Sequence, residues 1–192
     1  MLAVVLSPPS AARRPAVLTA WAAVGVAECV RRLTGLEARI KWPNDVLIDG
    51  KKVCGILIES AAGPAMTAIA GIGLNVTQSA ADFAAAGLLD ATSLAASSGR
   101  SFETGDVARA LVEELDRAYV LLDGNLAALE ATWAKRLGLL GRTVAAEAAD
   151  GTVRRGRLRR LTFDCVELET ESASVRLAPE ALRHVDSLGP ES

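Results

Sequence analysis

The chain has 192 residues, of which 51% are hydrophobic, 23% charged and 4% aromatic, with a formal net charge of −2. This apolar fraction supports a packed core and excludes a disordered or fibrous chain, and the length fits one domain or a medium domain with a small one. The near-neutral charge argues against a nucleic-acid or membrane-surface protein driven by bulk electrostatics. Three cysteines form no disulfide framework and no apolar run is long enough to span a membrane, so we expect a cytoplasmic protein.

The first six residues have the length and composition of a buried strand and run straight into Ser7-Pro8-Pro9. They lack the positive region and the cleavage site of a signal peptide, so we do not expect export. A chain that opens inside a strand is expected to have lost the segment that came before it.

A helix is predicted over residues 15–34, because Pro15 suits a first helical turn and Thr34-Gly35 supplies a stop. Its small residues, Gly25 among them, would let it pack closely across a sheet. The apolar period then becomes that of strands, over residues 38–42, 46–48, 52–58 and 67–76. Asp49-Gly50 is the signal for a two-residue type I′ hairpin, and Gly63-Pro64 marks the next turn.

The second half of the chain is predicted to be mainly helical and then mainly strand. Residues 77–101 are predicted to hold a loop and a short helix, and Thr104 is placed as the N-cap of a longer helix. Asp123-Gly124-Asn125 breaks that helix, and another runs to residue 137. Closely spaced short strands over 143–146, 153–160, 165–169 and 175–177 suggest a small barrel.

The densest cluster of polar residues is Lys41-Trp42-Pro43-Asn44-Asp45. Proline ends the strand, so the lysine ammonium ion is placed at the rim of the sheet, where α+β domains tend to build sites. An exposed strand end followed by an ordinary turn is the alternative interpretation.

Glycines recur in two neighbouring strands, at Gly55 and at Gly71-x-Gly73-x-Asn75. This is no dinucleotide-binding fingerprint, because the third glycine is missing and no helix opens at Asn75. Strands without side chains suggest a flat slot for a planar or narrow ligand. The alternative is that the glycines relieve packing beneath the helix that carries Trp21.

Other polar and aromatic residues carry little chemistry. His184 is the only histidine, which excludes a histidine triad or a multi-histidine metal site. Cys29, Cys54 and Cys165 lack metal-ligand spacing and are interpreted as small buried hydrophobes, and Trp133 as a helix-packing anchor. The arginine-rich run over residues 154–160 has no interleaved aromatic residue, so a solvated strand is favoured over a nucleic-acid-binding stripe.

Residues 41–45, 50–59 and 71–76 closely resemble, in residues and in spacing, the signature blocks of the biotin protein ligases. The resemblance covers nearly the whole chain and implies an α+β fold. It implies a catalytic domain related to class II aminoacyl-tRNA synthetases over residues 1–138, incomplete at its N-terminus, and an SH3-like barrel over 139–192. The implied reaction joins biotin to ATP as biotinyl-5′-AMP and passes the biotinyl group to a lysine of a biotin carboxyl carrier domain.

The resemblance also implies roles for individual residues. Lys41 would be catalytic and contact the biotin carboxylate and the adenylate, because a fixed ammonium ion offsets the repulsion between carboxylate and α-phosphate. The remaining substrate-binding residues would be Lys52 near the phosphates, Gly71, Gly73 and Asn75 beside adenine and ribose, Asn44 and Asp45 at the rim, and Trp42, Gly55 and Ile56. Mg²⁺ would arrive with the ATP phosphates, and no metal site built by the protein is expected.

The sequence departs from the family at its front. The glycine- and arginine-rich loop, the Ser/Thr-containing segment and the glutamine that hold biotin have no counterpart, so we expect residues 1–192 to bind biotin weakly or not at all. A non-catalytic relic that binds nucleotide or the carrier domain is therefore an alternative, and a lipoate ligase is a third that residues 41–45 disfavour. The absence of an N-terminal helix-turn-helix argues against DNA binding, and a homodimer stays open.

Overall fold

A computed structural model of the chain describes residues 1–61 and 67–189. Within these ranges the chain forms ten strands and five α-helices. The strands are β1 (Leu2–Leu6), β2 (Ala38–Lys41), β3 (Asp45–Ile48), β4 (Lys51–Ala61), β5 (Thr67–Leu74), β6 (Thr143–Ala148), β7 (Val153–Leu161), β8 (Val166–Glu169), β9 (Ser174–Leu177) and β10 (Leu182–Ser187). The helices are α1 (Pro15–Thr34), α2 (Ala80–Ala85), α3 (Leu94–Ser98), α4 (Thr104–Gly124) and α5 (Leu126–Leu137). The turn predicted at Gly63-Pro64 lies outside the described residues.

The first sheet is antiparallel, with the strand order β1-β5-β4-β3-β2. Alternate residues such as Ile40, Val46 and Ile72 are at most 3% exposed, and α1 packs against this face. The opposite face carries the other half of each strand and is more exposed. The hairpin predicted at Asp49-Gly50 is confirmed, since both residues have the positive φ angles, 47° and 76°, that a type I′ turn needs.

The predicted role of the small residues in α1 is wrong at Gly25. A Cβ atom there would lie 2.8 Å from Leu115 Cδ2 of α4, so this glycine permits the close approach of two helices and not of a helix and a sheet. Helix α1 is therefore buried on two sides, by the first sheet and by α4, and Trp21 donates its indole hydrogen bond to the Leu115 carbonyl at 3.0 Å. This burial explains why α1 is apolar nearly all round.

Two further predictions need correction in the helical part. Residues 77–101 hold two short helices, α2 and α3, and not one. Thr104 is the first residue of α4 and not its cap, because Glu103 takes the N-cap position without a side-chain hydrogen bond. The predicted break holds at Asn125, which ends α4 and caps α5 by accepting a hydrogen bond from the Ala128 amide.

The second sheet is also antiparallel, in the order β10-β6-β7-β8-β9, and gives the chain an α+β fold. Arg14, just before α1, ties this sheet to the first half of the chain, because its guanidinium donates to the Phe163 carbonyl and pairs with Glu180, both at 2.6 Å. The predicted domain boundary at residues 138 and 139 falls between α5 and β6 and stays a prediction. In the described part of the chain, no helix is long and apolar enough to cross a membrane.

Candidate active site

One row of residues crosses four strands on the face of the first sheet that α1 leaves open. Lys41 of β2 lies opposite Asp45 of β3, Asp45 opposite Gly55 of β4, and Gly55 opposite Gly73 of β5. Directly opposite residues on antiparallel strands point to the same face. The sheet therefore assembles an ammonium ion, a carboxylate and two glycines into one line, which we call the cross-sheet row.

The glycines give this face a flat floor. A Cβ atom at Gly73 would lie 3.6 Å from the Gly55 carbonyl oxygen, and one at Gly71 3.7 Å from the Leu57 carbonyl oxygen. The nearest atoms thus belong to the neighbouring strand of the same sheet. The alternative of packing relief beneath Trp21 is wrong, because these positions face away from α1.

Lys52 lies across the cross-sheet row. Its Nζ atom is 2.6 Å from Asp45 Oδ1, and the two side chains are 48% and 24% exposed. A Cβ atom on Gly55 would be 3.2 Å from both Cε and Nζ of Lys52, which is tighter than an ordinary contact. Gly55 therefore leaves the space through which Lys52 reaches Asp45.

A β-bulge points Lys52 toward the open face. Val46 pairs with Cys54, but the next residue, Leu47, pairs with Lys52, so Val53 is an extra residue in β4. Both Val53 and Cys54 are fully buried, as expected where the alternation of a strand slips by one residue. Without this bulge Lys52, three residues before Gly55, would point to the α1 face.

A cavity of about 620 Å³ lies beside the row and has three walls. The first sheet contributes Lys41, Asp45 and Lys52, the loop of residues 87–91 forms a second wall, and residues 185–187 with Gly189 after β10 form the third. This volume is in the range of small-molecule sites. The second sheet therefore takes part in the candidate site, which sequence analysis did not predict.

The loop of residues 87–91 is held to Lys52 by backbone hydrogen bonds. The Lys52 amide donates to the Asp90 carbonyl at 2.7 Å, and the Thr92 amide donates to the Lys52 carbonyl at 2.8 Å. Leu88 and Leu89, 55% and 72% exposed, lie on this wall. The polar, weakly periodic sequence of this segment gave no signal for its position.

Two of the predicted substrate-binding asparagines bond to the backbone of the sheet and its neighbours. Asn44 Nδ2 donates to the Ile56 carbonyl at 2.7 Å, and the Ile56 amide donates back to the Asn44 carbonyl at 3.0 Å. Asn75 Nδ2 donates to the Thr92 carbonyl at 2.9 Å. The Ile56 side chain is buried on the α1 face. These residues frame the site, and their amide donors are already engaged within the protein.

Trp42, also predicted to bind substrate, lies against the second sheet. Its indole is 5% exposed, donates to the Leu182 carbonyl at 3.3 Å and lies 5.6 Å from the Trp133 ring. Trp133 in turn lies 5.3 Å from the Phe163 ring. Trp133 is thus the packing anchor that the sequence predicted, and Trp42 joins the end of β2 to α5 and β10.

Burial disfavours the thiolate form of two of the three cysteines. Desolvation by burial, with a smaller contribution from Asp45, raises the pKa of Cys54 to about 12. Desolvation by burial is also the main reason that the pKa of Cys29 is raised to about 11, and the negative charge of Glu114 adds to it. Cys165 is only partly buried, so the prediction of a buried hydrophobe holds for two of the three. Over residues 1–61 and 67–189, no group of three or more His, Cys, Asp or Glu side chains could hold a metal ion.

Comparison with known proteins shows what the chain is similar to. The family model described as the biotin/lipoate A/B protein ligase family matches residues 1–75. The chain is 35% identical over 120 residues to the bifunctional ligase/repressor BirA of Bacillus spizizenii, covering 62% of this chain and 37% of that protein. It is 46% identical over 76 residues to the biotin–acetyl-CoA-carboxylase ligase of Paracoccus denitrificans, covering 38% of this chain and 32% of that one. The chain spans about a third of these relatives' length.

A solved structure shares the fold. The biotin protein ligase of Aquifex aeolicus, in complex with biotin and ATP, superposes with a TM-score of 0.79 at 21% identity, covering 96% of this chain and 77% of that one. The chain is thus similar to biotin protein ligases, in sequence over part of its length and in fold over nearly all of it.

Proposed function

We propose that the chain carries the catalytic core of a ligase that activates biotin with ATP, forming biotinyl-5′-AMP and pyrophosphate, and then transfers the biotinyl group to a lysine of a carrier domain. The observation that carries the proposal is the arrangement around the cross-sheet row: Lys41 lies opposite Asp45, Lys52 pairs with Asp45, and all three line one cavity beside the glycine floor. Two cations at one cavity suit a reaction between two anions.

The chemistry assigns a task to each cation. An oxygen of the biotin carboxylate attacks the α-phosphorus of ATP, the bond to the bridging oxygen breaks, and pyrophosphate leaves with the electron pair. Negative charge accumulates around phosphorus in the transition state, where fixed ammonium ions stabilise it. In this proposal Lys41 contacts the carboxylate and the adenylate, and Lys52 contacts the phosphates.

The floor and the surface around it suit the neutral parts of the substrates. Gly55 and Gly73 let a planar or narrow group approach the backbone, and Gly71 extends the floor by one residue pair. Beyond it the open face is apolar, with Leu57 61% exposed and Val5 68% exposed. The Gly71–Gly73 strand would line the nucleotide, and Asn75 would act by holding Thr92. Mg²⁺ would enter with the ATP phosphates.

The second step needs a surface for the carrier domain. We infer that the second sheet is the SH3-like barrel of the family and that the first forms a domain related to class II aminoacyl-tRNA synthetases; the two antiparallel sheets support both assignments. The end of β10 lines the cavity, so a docked carrier lysine could reach it from this side. A cytoplasmic location is supported by the three free cysteines, and a homodimer and the absence of DNA binding stay predictions.

Biotin-dependent exchange of labelled pyrophosphate into ATP, at saturating biotin, tests the proposal. Because residues 1–192 are expected to bind biotin weakly at best, exchange should appear only at high biotin concentration, and none is expected without biotin. Exchange with lipoate in place of biotin would favour the lipoate alternative, which the family model also includes. ATP binding without any exchange would instead support the non-catalytic relic.

A further inference from the structure

Asp45 lies opposite one cation, Lys41, in the strand register and forms an ion pair with a second, Lys52. It is directly opposite Lys41 on the neighbouring strand, and its Oδ1 atom is 2.6 Å from Lys52 Nζ. We propose that Asp45 is a positioning residue that holds the Lys52 ammonium ion across Gly55, beside Lys41, before substrate binds. The inference rests on the proposed function and adds to it the residue that orients the second cation.

Three independent features of the chain converge on this position of Lys52. The β-bulge at Val53 turns the side chain to the open face. The backbone hydrogen bonds to Asp90 and Thr92 fix its main chain at the start of β4. The missing side chain of Gly55 leaves room for its Cε and Nζ atoms. An ordinary surface ion pair requires none of these.

The charge balance of the row explains what the carboxylate adds. Two ammonium ions on one open sheet face repel each other, and an unrestrained lysine side chain samples many rotamers. Asp45, whose side chain is 24% exposed, restrains Lys52 and leaves the group of Lys41, Asp45 and Lys52 with one net positive charge. Binding then loses less side-chain entropy, and both cations are in place when charge develops on phosphorus.

The first test measures the pair without using activity. The full chain is treated with limiting acetic anhydride, and acetylation of Lys52 relative to the exposed neighbour Lys51 is measured by peptide mass spectrometry. Only the free amine attacks the anhydride, so an ammonium ion bonded to a carboxylate must leave its partner and lose a proton before it reacts. We expect Asp45→Asn to raise the Lys52/Lys51 ratio about two- to fivefold, the factor typical of opening a partly exposed ion pair.

Gly55→Ala gives the same readout without changing any charge. Its Cβ atom would displace the flexible end of Lys52, so the ratio should rise as it does in Asp45→Asn. Gly73→Ala is the matched control for labelling, because its Cβ atom would meet only the Gly55 carbonyl at 3.6 Å. An unchanged ratio in both Asp45→Asn and Gly55→Ala would overturn the proposal.

The second test separates positioning from simple charge. If Asp45 only repelled ATP, Asp45→Asn would tighten ATP binding and leave the turnover of pyrophosphate exchange intact. A positioning residue predicts a fall in kcat of about tenfold or more, and partial recovery of kcat in Asp45→Glu. Turnover within twofold of the wild type in Asp45→Asn would contradict it. If the wild type shows no exchange, the proposed function fails, and the labelling ratio still decides whether Asp45 holds Lys52.

Discussion

Lys41 and Asp45 lie directly opposite each other on β2 and β3, and the three residues between them form the turn that joins the two strands. The residues between them point elsewhere: Trp42 bonds to the Leu182 carbonyl and Asn44 to the Ile56 carbonyl. The segment of residues 41–45 thus has charged ends that line the cavity and a central turn that joins β2 to the second sheet and to β4. This division explains how a single five-residue segment can contain both the residues proposed to act on substrate and residues that hold the fold.

Lys41→Ala should abolish adenylate formation while leaving the fold intact. The side chain is exposed, so the free energy of unfolding should change by no more than about 0.5 kcal/mol. Biotin-dependent pyrophosphate exchange should fall about 100-fold or more, as expected when a charge-stabilising group is removed. Lys51→Ala, which removes an exposed lysine from the hairpin, is the control. Normal pyrophosphate release by Lys41→Ala would remove Lys41 from the mechanism.

Trp42→Phe tests whether Trp42 is architectural. The substitution removes the indole hydrogen bond to Leu182, which should lower the free energy of unfolding by about 1 kcal/mol in urea denaturation. The KM for biotin should stay within twofold of the wild type, since the indole lies against Trp133 and the second sheet. A raised KM with unchanged stability would assign Trp42 to the substrate instead.

Two strand glycines should respond differently to alanine. A Cβ atom at Gly156 of β7 would lie 2.6 Å from the Glu169 carbonyl oxygen, which belongs to the backbone and cannot move aside cheaply. Gly156→Ala should therefore destabilise the protein by about 1–3 kcal/mol. Gly73→Ala makes only ordinary contact and should change stability far less. Thermal unfolding of the two variants in parallel checks this contrast, and equal losses would contradict it.

The buried thiols predict how stability depends on alkaline pH. Burial raises the pKa of Cys54 from 9.0 to about 12, so the unfolded chain releases this proton at a lower pH than the folded one. The stabilising contribution is therefore complete below about pH 9 and is lost progressively as the pH rises toward 12. Cys54→Ala should flatten this part of the profile of unfolding free energy against pH. A variant with the same alkaline slope as the wild type would show that Cys54 does not contribute.

Local patterns predicted the elements of the fold well. Alternation of apolar residues identified the strands of both sheets, and Asp49-Gly50 identified the hairpin, because these signals depend on neighbours in the chain. The orientation of Gly25 toward Leu115 and the contact of Trp42 with Leu182 were mispredicted or missed. Each depends on an element brought close by the fold from far along the sequence.

The candidate site was predicted in part for the same reason. The resemblance supplied Lys41, Lys52 and the glycines, but not the ion pair between Lys52 and Asp45. One local signal could have indicated it: Val53 and Cys54 are consecutive apolar residues that interrupt the two-residue period before Gly55. Such an interruption is typical of a β-bulge and reverses the face of the residues before it. The wall formed by residues 185–189 had no comparable signal.

The central claim is that the biotin carboxylate oxygen attacks the α-phosphorus of ATP at Lys41. Biotin labelled with ¹⁸O in its carboxylate, incubated with ATP, Mg²⁺ and an amine acceptor, tests it most directly by mass spectrometry of the released AMP. Attack by biotin places one ¹⁸O atom in AMP, because the bridging oxygen of the adenylate leaves with phosphorus, and Lys41→Ala should form no such AMP. AMP without ¹⁸O, or no AMP that depends on biotin, would contradict the account.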